Sequence, residues 1–90
     1  MMIVRKTNKY LKDVELLKKR HYDLSLLEET IEKLSNKEKL PPSYKDHSLS
    51  GQYNNFRECH IKPDWLLVYY IDEDELILFL FRTGTHSDIF

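Results

Sequence analysis

A single cysteine, Cys59, occurs in the ninety residues. A lone thiol excludes an internal disulfide and a cysteine-based zinc site. Glycine occurs only at Gly51 and Gly84, and proline only three times. So few breakers leave no low-complexity linker. No apolar run approaches the roughly 20 residues that a membrane span needs. The first residues lack the apolar core of a signal peptide, because Arg5, Lys6 and Lys9 follow almost at once. These absences predict a cytoplasmic protein that makes no membrane contact. An excess of positive charge is also missing: the net charge is −1, which by itself argues against a nucleic-acid partner.

What is present is the composition of a folded chain, with 41% hydrophobic and 32% charged residues. Ninety residues make one domain, 1–90. A chain this short buries only about 60–65% of the surface its unfolded form exposes. One sheet and two helices fill that volume, and no deep cofactor pocket is expected. Charge is unevenly spread. Residues 1–46 carry eleven Lys and Arg against eight Asp and Glu, whereas residues 47–90 carry three against seven. A basic first half suits a phosphate-facing surface, and it equally suits two solvated amphipathic helices.

Met2-Ile3-Val4-Arg5 is a short β-branched run and a first strand. Thr7 or Asn8 caps a helix from Lys9 to about Arg20, whose apolar stripe is Tyr10, Leu11, Val14 and Leu17. His21-Tyr22-Asp23 breaks the pattern. Asp23, or Ser25 with Glu28, starts a second helix with Leu24, Leu27, Ile31 and Leu34 on one side. The short connection makes an antiparallel hairpin, and only the C-terminal half can cover its stripes. Pro41-Pro42 ends the helical half. Tyr44 to Asn55 reads as a loop. Phe56–Ile61, Trp65–Ile71 and Glu75–Arg82 read as strands joined by hairpin-length turns, with a short strand in the last residues. The predicted fold is α+β, in the order β-α-α-β-β-β: a helical hairpin on one face of a mainly antiparallel twisted sheet.

The chemistry collects in the C-terminal half. His47, His60 and His86 each stand at a turn or strand end, in three separate segments. Strand alternation places Phe56, Glu58 and His60 on one face and Arg57, Cys59 and Ile61 on the other. Cys59 and Ile61 suit packing under the helices, which leaves His60 on the open face. Three histidines and Asp64 suggest two chemistries. Zinc is one, but no pair has a helical or hairpin ligand spacing. Metal-free RNA cleavage is the other. It needs a base for the 2′-OH, an acid for the leaving 5′-oxygen and cations near the phosphate. Histidine and aspartate supply the first two; arginine's planar fork suits the third. Arg82 is such a clamp, or else the partner of Asp64 or Asp88. Trp65 stacks a base or opens a buried strand. Phe90 plugs the core edge or offers a second stacking surface. The other tyrosines and Cys59 read as packing.

Three blocks then resemble a known family. Lys45-Asp46-His47-x-Leu49-x-Gly51, Arg57-x-x-His60-Ile61-x-Pro63-Asp64-Trp65, and Arg82-Thr83-Gly84-Thr85-His86 with Phe90 look like the YafQ toxins. Those toxins belong to the RelE/ParE superfamily of type II toxin–antitoxin systems. The resemblance extends through the helical hairpin and its Lys19-Arg20-His21 turn. It implies a RelE-like fold and a ribosome-dependent endoribonuclease that cuts mRNA in the decoding site. It implies no metal, no cofactor and a 2′,3′-cyclic phosphate product. Carried across residue by residue, it makes His47, His60, Asp64 and His86 the catalytic set. Asp64 is then the expected base and His86 the acid, with His60 the second choice of base. Arg82 and Phe90 become supporting substrate contacts, and Trp65 and Lys45 are expected to contact substrate beside them. The basic turn Lys18-Lys19-Arg20 is the expected ribosome contact, with a salt-sensitive interaction. A cognate antitoxin encoded in the same operon is the implied partner, with operator DNA held mainly through it. Two other readings compete: a ParE-like toxin acting on gyrase, and a non-catalytic module that binds only antitoxin and operator.

Overall fold

The computed structural model describes residues 1–90. Its first strand, β1 (Ile3–Lys6), is followed by two helices, α1 (Asn8–Lys19) and α2 (Leu24–Ser35). Then come β2 (His47–Ser48), β3 (Arg57–Lys62), β4 (Trp65–Asp72), β5 (Ile77–Gly84) and a terminal turn of helix, α3 (His86–Ile89). The five strands lie side by side in the order β1-β5-β4-β3-β2. The β2–β3, β3–β4 and β4–β5 pairs are antiparallel, and β1 joins β5 in parallel. A parallel pair needs a crossover, and the helical hairpin provides it.

Each helix starts where the sequence supplies an oxygen. Thr7 Oγ1 accepts from the Tyr10 backbone N–H at 3.0 Å, and its hydroxyl donates to the Phe81 carbonyl at 2.7 Å. One threonine therefore both caps α1 and ties it to β5. Asp23 caps α2, accepting from the Ser25 N–H at 3.1 Å. Lys18 and Lys19 occupy the last turn of α1, where positive charge complements the helix dipole.

The two faces of the sheet differ in kind. Tyr10, Leu17, Leu27 and Leu34 of the helices pack on Cys59, Trp65, Leu67, Tyr69, Leu78 and Leu80. Each such fully buried side chain contributes about 1.5–3 kcal/mol. The alternate positions, Leu66 and Val68, meet Ile89 of α3 on the opposite face, with Leu49, Phe56 and Phe81 around them. Cys59 thus belongs to the core, and burial pushes its thiol up to about 12.

Four expectations need correction. Leu11 is exposed, because Tyr10 and Leu17 define the buried edge of α1. The segment 44–55 is not all loop: His47 and Ser48 pair with Glu58 and Arg57. The terminal segment is helical rather than a strand. There Thr85 and Asp88 form a capping box, which starts a helical turn. Trp65 is 1% exposed, with Nε1 donating to Thr83 Oγ1 at 3.0 Å and Tyr22 edge-on at 5.0 Å. A ring so placed packs the core and offers no face to a base.

Candidate active site

Three short pieces of chain bring the imidazoles together on the face opposite the helices. β3 presents His60. The two-residue β2 sets His47 opposite Glu58. α3 presents His86 from its first position. Ring centroids are 6.3 Å apart for His47 and His60, and 6.0 Å for His60 and His86. The three histidines therefore converge, with His60 in the middle.

Each ring is anchored through its Nδ1. His60 Nδ1 lies 3.2 Å from the Pro63 carbonyl. A carbonyl only accepts, so Nδ1 carries the proton and Nε2 bears the lone pair. His47 Nδ1 lies 2.6 Å from the Lys45 carbonyl and so also carries a proton. Lys45 reaches this position through a left-handed backbone, φ 49°. His86 Nδ1 and its backbone N–H both reach Asp64 Oδ1, at 2.9 and 3.1 Å. The His86 side chain, and after it the backbone N–H, holds the Asp64 carboxyl below the usual range.

Beneath His47 and His60 sits Glu58, a residue that reasoning from sequence placed on the right face but gave no role. Its side chain is 7% exposed; Oε2 lies 3.1 Å from His47 Nε2 and 4.0 Å from His60 Nε2. The other oxygen, Oε1, is buried with no partner. A carboxylate and a ring nitrogen at 3.1 Å need a proton between them. The His47–Glu58 pair therefore stores one proton at the edge of the site. The signal for Glu58 was there: it is two residues from His60 on an alternating strand.

The segments that carry His47 and His86 are too short to stand alone, and each is pinned by an aspartate. Asp46 accepts from the Tyr69 hydroxyl at 2.5 Å and from Arg57 Nε at 3.3 Å. Asp88 takes both terminal nitrogens of Arg20, at 2.8 and 3.2 Å. Arg20 first, then the Thr85 bonds, hold the Asp88 carboxyl down at about 2. Arg82 makes a two-pronged pair with Asp13 of α1, at 2.7 and 3.0 Å, and donates to the Asp88 carbonyl at 3.1 Å. Its carboxylate partner is thus Asp13, not Asp64 or the Asp88 side chain. Asp13 lies 69 residues away in sequence, and no local pattern announces it. Arg20, though exposed, is likewise paired within the chain, to Asp88, while Lys19 is exposed and Lys18 pairs loosely with Glu15 at 3.6 Å. Phe90 is 55% exposed and meets Tyr53 edge-on at 5.3 Å.

The cluster unites two imidazoles with free Nε2 atoms, a third imidazole paired to a buried carboxylate, and an ionised aspartate. Together they can move protons in two directions across a gap of about 6 Å. Nowhere do three His, Cys, Asp or Glu side chains converge in metal-holding geometry.

Such a sheet with such a site defines a class, the small RelE-like toxins. A family model, the bacterial toxin of type II toxin-antitoxin system YafQ, matches residues 2–90. The "mRNA interferase toxin YafQ" of Escherichia coli strain K12 is 42% identical over 85 residues, 93% of this chain and 90% of that protein. A solved "metal-bound toxin from Helicobacter pylori" is 46% identical with a TM-score of 0.94, covering all of both chains. The toxin in an E. coli DinJ–YafQ complex is 35% identical with a TM-score of 0.90, over 100% of this chain and 99% of that one. The chain belongs to the YafQ family of type II toxins.

Proposed function

We propose that this chain is an mRNA interferase, an endoribonuclease that acts on ribosome-bound message and is silenced by a cognate antitoxin. The convergence of His60 and His86, each anchored through Nδ1, carries the reading. With ring centroids 6.0 Å apart, the two Nε2 atoms are available to flank a phosphodiester. His60 Nε2 takes the proton of the 2′-OH. The 2′-oxygen bonds to phosphorus as the bond to the 5′-oxygen breaks, and His86 delivers its proton to that leaving oxygen. The products are a 2′,3′-cyclic phosphate and a free 5′-OH. Each proton transfer is worth about 10²–10⁴-fold. Asp64 accepts from His86 Nδ1 and backbone N–H, so it steadies the imidazolium that serves as acid. A carboxylate held that low is a weak base, so the base role passes from Asp64 to His60. His47, sharing a proton with Glu58, offers positive charge to the phosphate. Lys45 and Phe90 remain substrate contacts at the rim.

The ribosome, with its bound mRNA, is met by the basic half, through exposed Lys19 and neighbouring Lys18. The antitoxin partner follows from family membership and from the E. coli toxin, solved in complex with DinJ. Operator DNA is held mainly through that antitoxin. The reaction needs no cofactor, and the protein works in the cytoplasm. No helix is long and apolar enough to cross a membrane. A gyrase toxin or a plain binding module would have no use for three converging imidazoles.

The test is a purified translation system with wild type and His86→Gln. New 5′ ends that appear only on translating ribosomes, in codon register, and vanish in the variant support the reading. Cuts on naked RNA would remove the ribosome from it. Growth arrest without any cuts would replace it with the gyrase reading.

A further inference from the structure

The open face of the sheet carries more than the imidazoles. Phe56 stands just before β3, Tyr70 on β4, and Phe79 and Phe81 on β5, all half-buried. Ring centroids are 4.6 Å apart for Phe56 and Phe81, 6.1 Å for Phe56 and Tyr70, and 6.0 Å for Tyr70 and Phe79. With Thr7 they line a groove of about 270 Å³ that has no charged wall. The position of the row matters. Phe56 is one same-face step, about 7 Å, along the chain from Glu58, and Glu58 pairs with His47 and lies 4.0 Å from His60 Nε2. The rings therefore continue the imidazole cluster along the same face. At their far end Arg5 of β1 stands in register with Phe79.

From this arrangement we infer that Phe56, Tyr70, Phe79 and Phe81 form a stacking platform for unpaired bases of the RNA strand flanking the scissile phosphate. The inference rests on the RNA-cleavage reading above and extends its substrate footprint. Three observations select RNA as the occupant. A mainly antiparallel sheet with a helical hairpin on one face and rings on the other is a geometry that stacks single-stranded bases. The groove is all aromatic apart from Thr7, and a π-face accepts any base, so it adds affinity without sequence preference. Most of the exposed aliphatic side chains that suit a protein partner lie elsewhere, with Leu11 and Leu16 on α1 and Val4 paired with Leu78 of the helix-side core; Ile3, in register with Ile77, only borders the row.

The probe is a single-stranded hexaribonucleotide with 2′-O-methyl riboses, which cannot attack its own phosphates. Added to the full chain without ribosomes, it moves the NMR ring signals of Tyr70 and Phe79 upfield. Tyr70→Leu and Phe79→Leu keep apolar area but remove the π-face. Each weakens oligonucleotide binding about fivefold or more, while thermal unfolding and affinity for the cognate antitoxin stay as in wild type. Rings that do not move at millimolar oligonucleotide overturn the platform. So do leucine variants that bind RNA normally. Leucine variants that lose the antitoxin but keep RNA make this face a protein-docking surface instead. Because the probe is never cleaved, these outcomes stand whether or not cleavage proves to need the ribosome.

Discussion

Arg20, in the turn after α1, grips both carboxylate oxygens of Asp88 in α3, two residues beyond His86. Four residues of helix have no stability of their own, so the position of His86 depends on this grip and on the capping box with Thr85. Arg20→Met is expected to lower cleavage on ribosomes by about 10- to 100-fold, through misplacement of His86. In a His86→Gln background it should cost nothing further. Lys18→Glu with Lys19→Glu should instead weaken ribosome binding and flatten its salt dependence. The grip also has a pH signature. The Asp88 carboxyl is held at about 2 against 3.8. A depressed carboxyl stabilises the fold fully above its unfolded value and ceases to do so as pH falls through its folded value. Protection of the α3 amides should fade across that acid interval in wild type and at higher pH in Arg20→Met. An Arg20→Met enzyme with normal turnover, or with further loss in the His86→Gln background, would return Arg20 to the ribosome.

Glu58 predicts a trade between rate and stability. Its Oε1 is buried with no partner, a burden of about 1–3 kcal/mol where no water relieves it. Glu58→Gln removes the buried charge and the proton shared with His47. The melting temperature should stay level or rise, while cleavage falls about 100-fold, the scale of losing one positioned electrostatic partner. Calorimetry and single-turnover cleavage on the same preparation decide it. A variant equally active and more stable would make Glu58 a relic of packing.

The fold was legible because its signals are local. Leu24, Leu27, Ile31 and Leu34 repeat at helical spacing, and Pro63-Asp64 marks a hairpin; both read correctly. The alternation of Phe56, Glu58 and His60 against Cys59 and Ile61 put the right residues on the open face. What escaped depends on partners far along the chain. Arg82 finds Asp13, and Arg20 finds Asp88, 68 residues on. No spacing rule reaches that far. β2 was missed because a strand of two residues has no periodicity. α3 was missed because its capping box, Thr85 with Asp88, precedes no apolar run. Trp65 was ambiguous by composition, since burial and base stacking use the same ring.

Trp65 is the sole tryptophan, so its burial has a direct optical test. Its ring is enclosed by the helix-side core, away from the imidazoles. Emission should be blue-shifted and should not quench when RNA binds. Trp65→Phe should cost about 1–2 kcal/mol of stability through loss of the bond to Thr83, with RNA affinity unchanged. Quenching that saturates with RNA would restore Trp65 to the substrate surface.

The similarity to a metal-bound toxin makes metal dependence worth measuring. Both nitrogens of His47 are engaged, by Glu58 and Lys45, whereas His60 and His86 are engaged only through Nδ1, by the Pro63 carbonyl and Asp64. The chemistry assigned to His60 and His86 uses proton transfer alone. Cleavage should therefore survive exhaustive dialysis against EDTA undiminished. Loss of activity on dialysis, with return on adding zinc or copper, would require a metal-based mechanism in its place.

Asp64 and His86 are expected to act as one unit, because one Asp64 oxygen accepts from both the His86 ring and its backbone N–H, at 2.9 and 3.1 Å. His86→Gln removes the acid and should cost about 10²–10⁴-fold in turnover. Asp64→Asn leaves the imidazole in place but gives it a neutral neighbour, so the loss should be smaller. The double variant should be no slower than His86→Gln alone, since groups that work as a pair do not add. The alkaline limb of the pH–rate profile, which reports the acid, should also be more affected by Asp64→Asn than by Lys45→Met. If Asp64 were the base, acting independently of His86, the two losses would multiply. Single-turnover cleavage of the four proteins on stalled ribosomes separates the cases: multiplication assigns Asp64 to the 2′-OH, and its absence leaves that proton to His60.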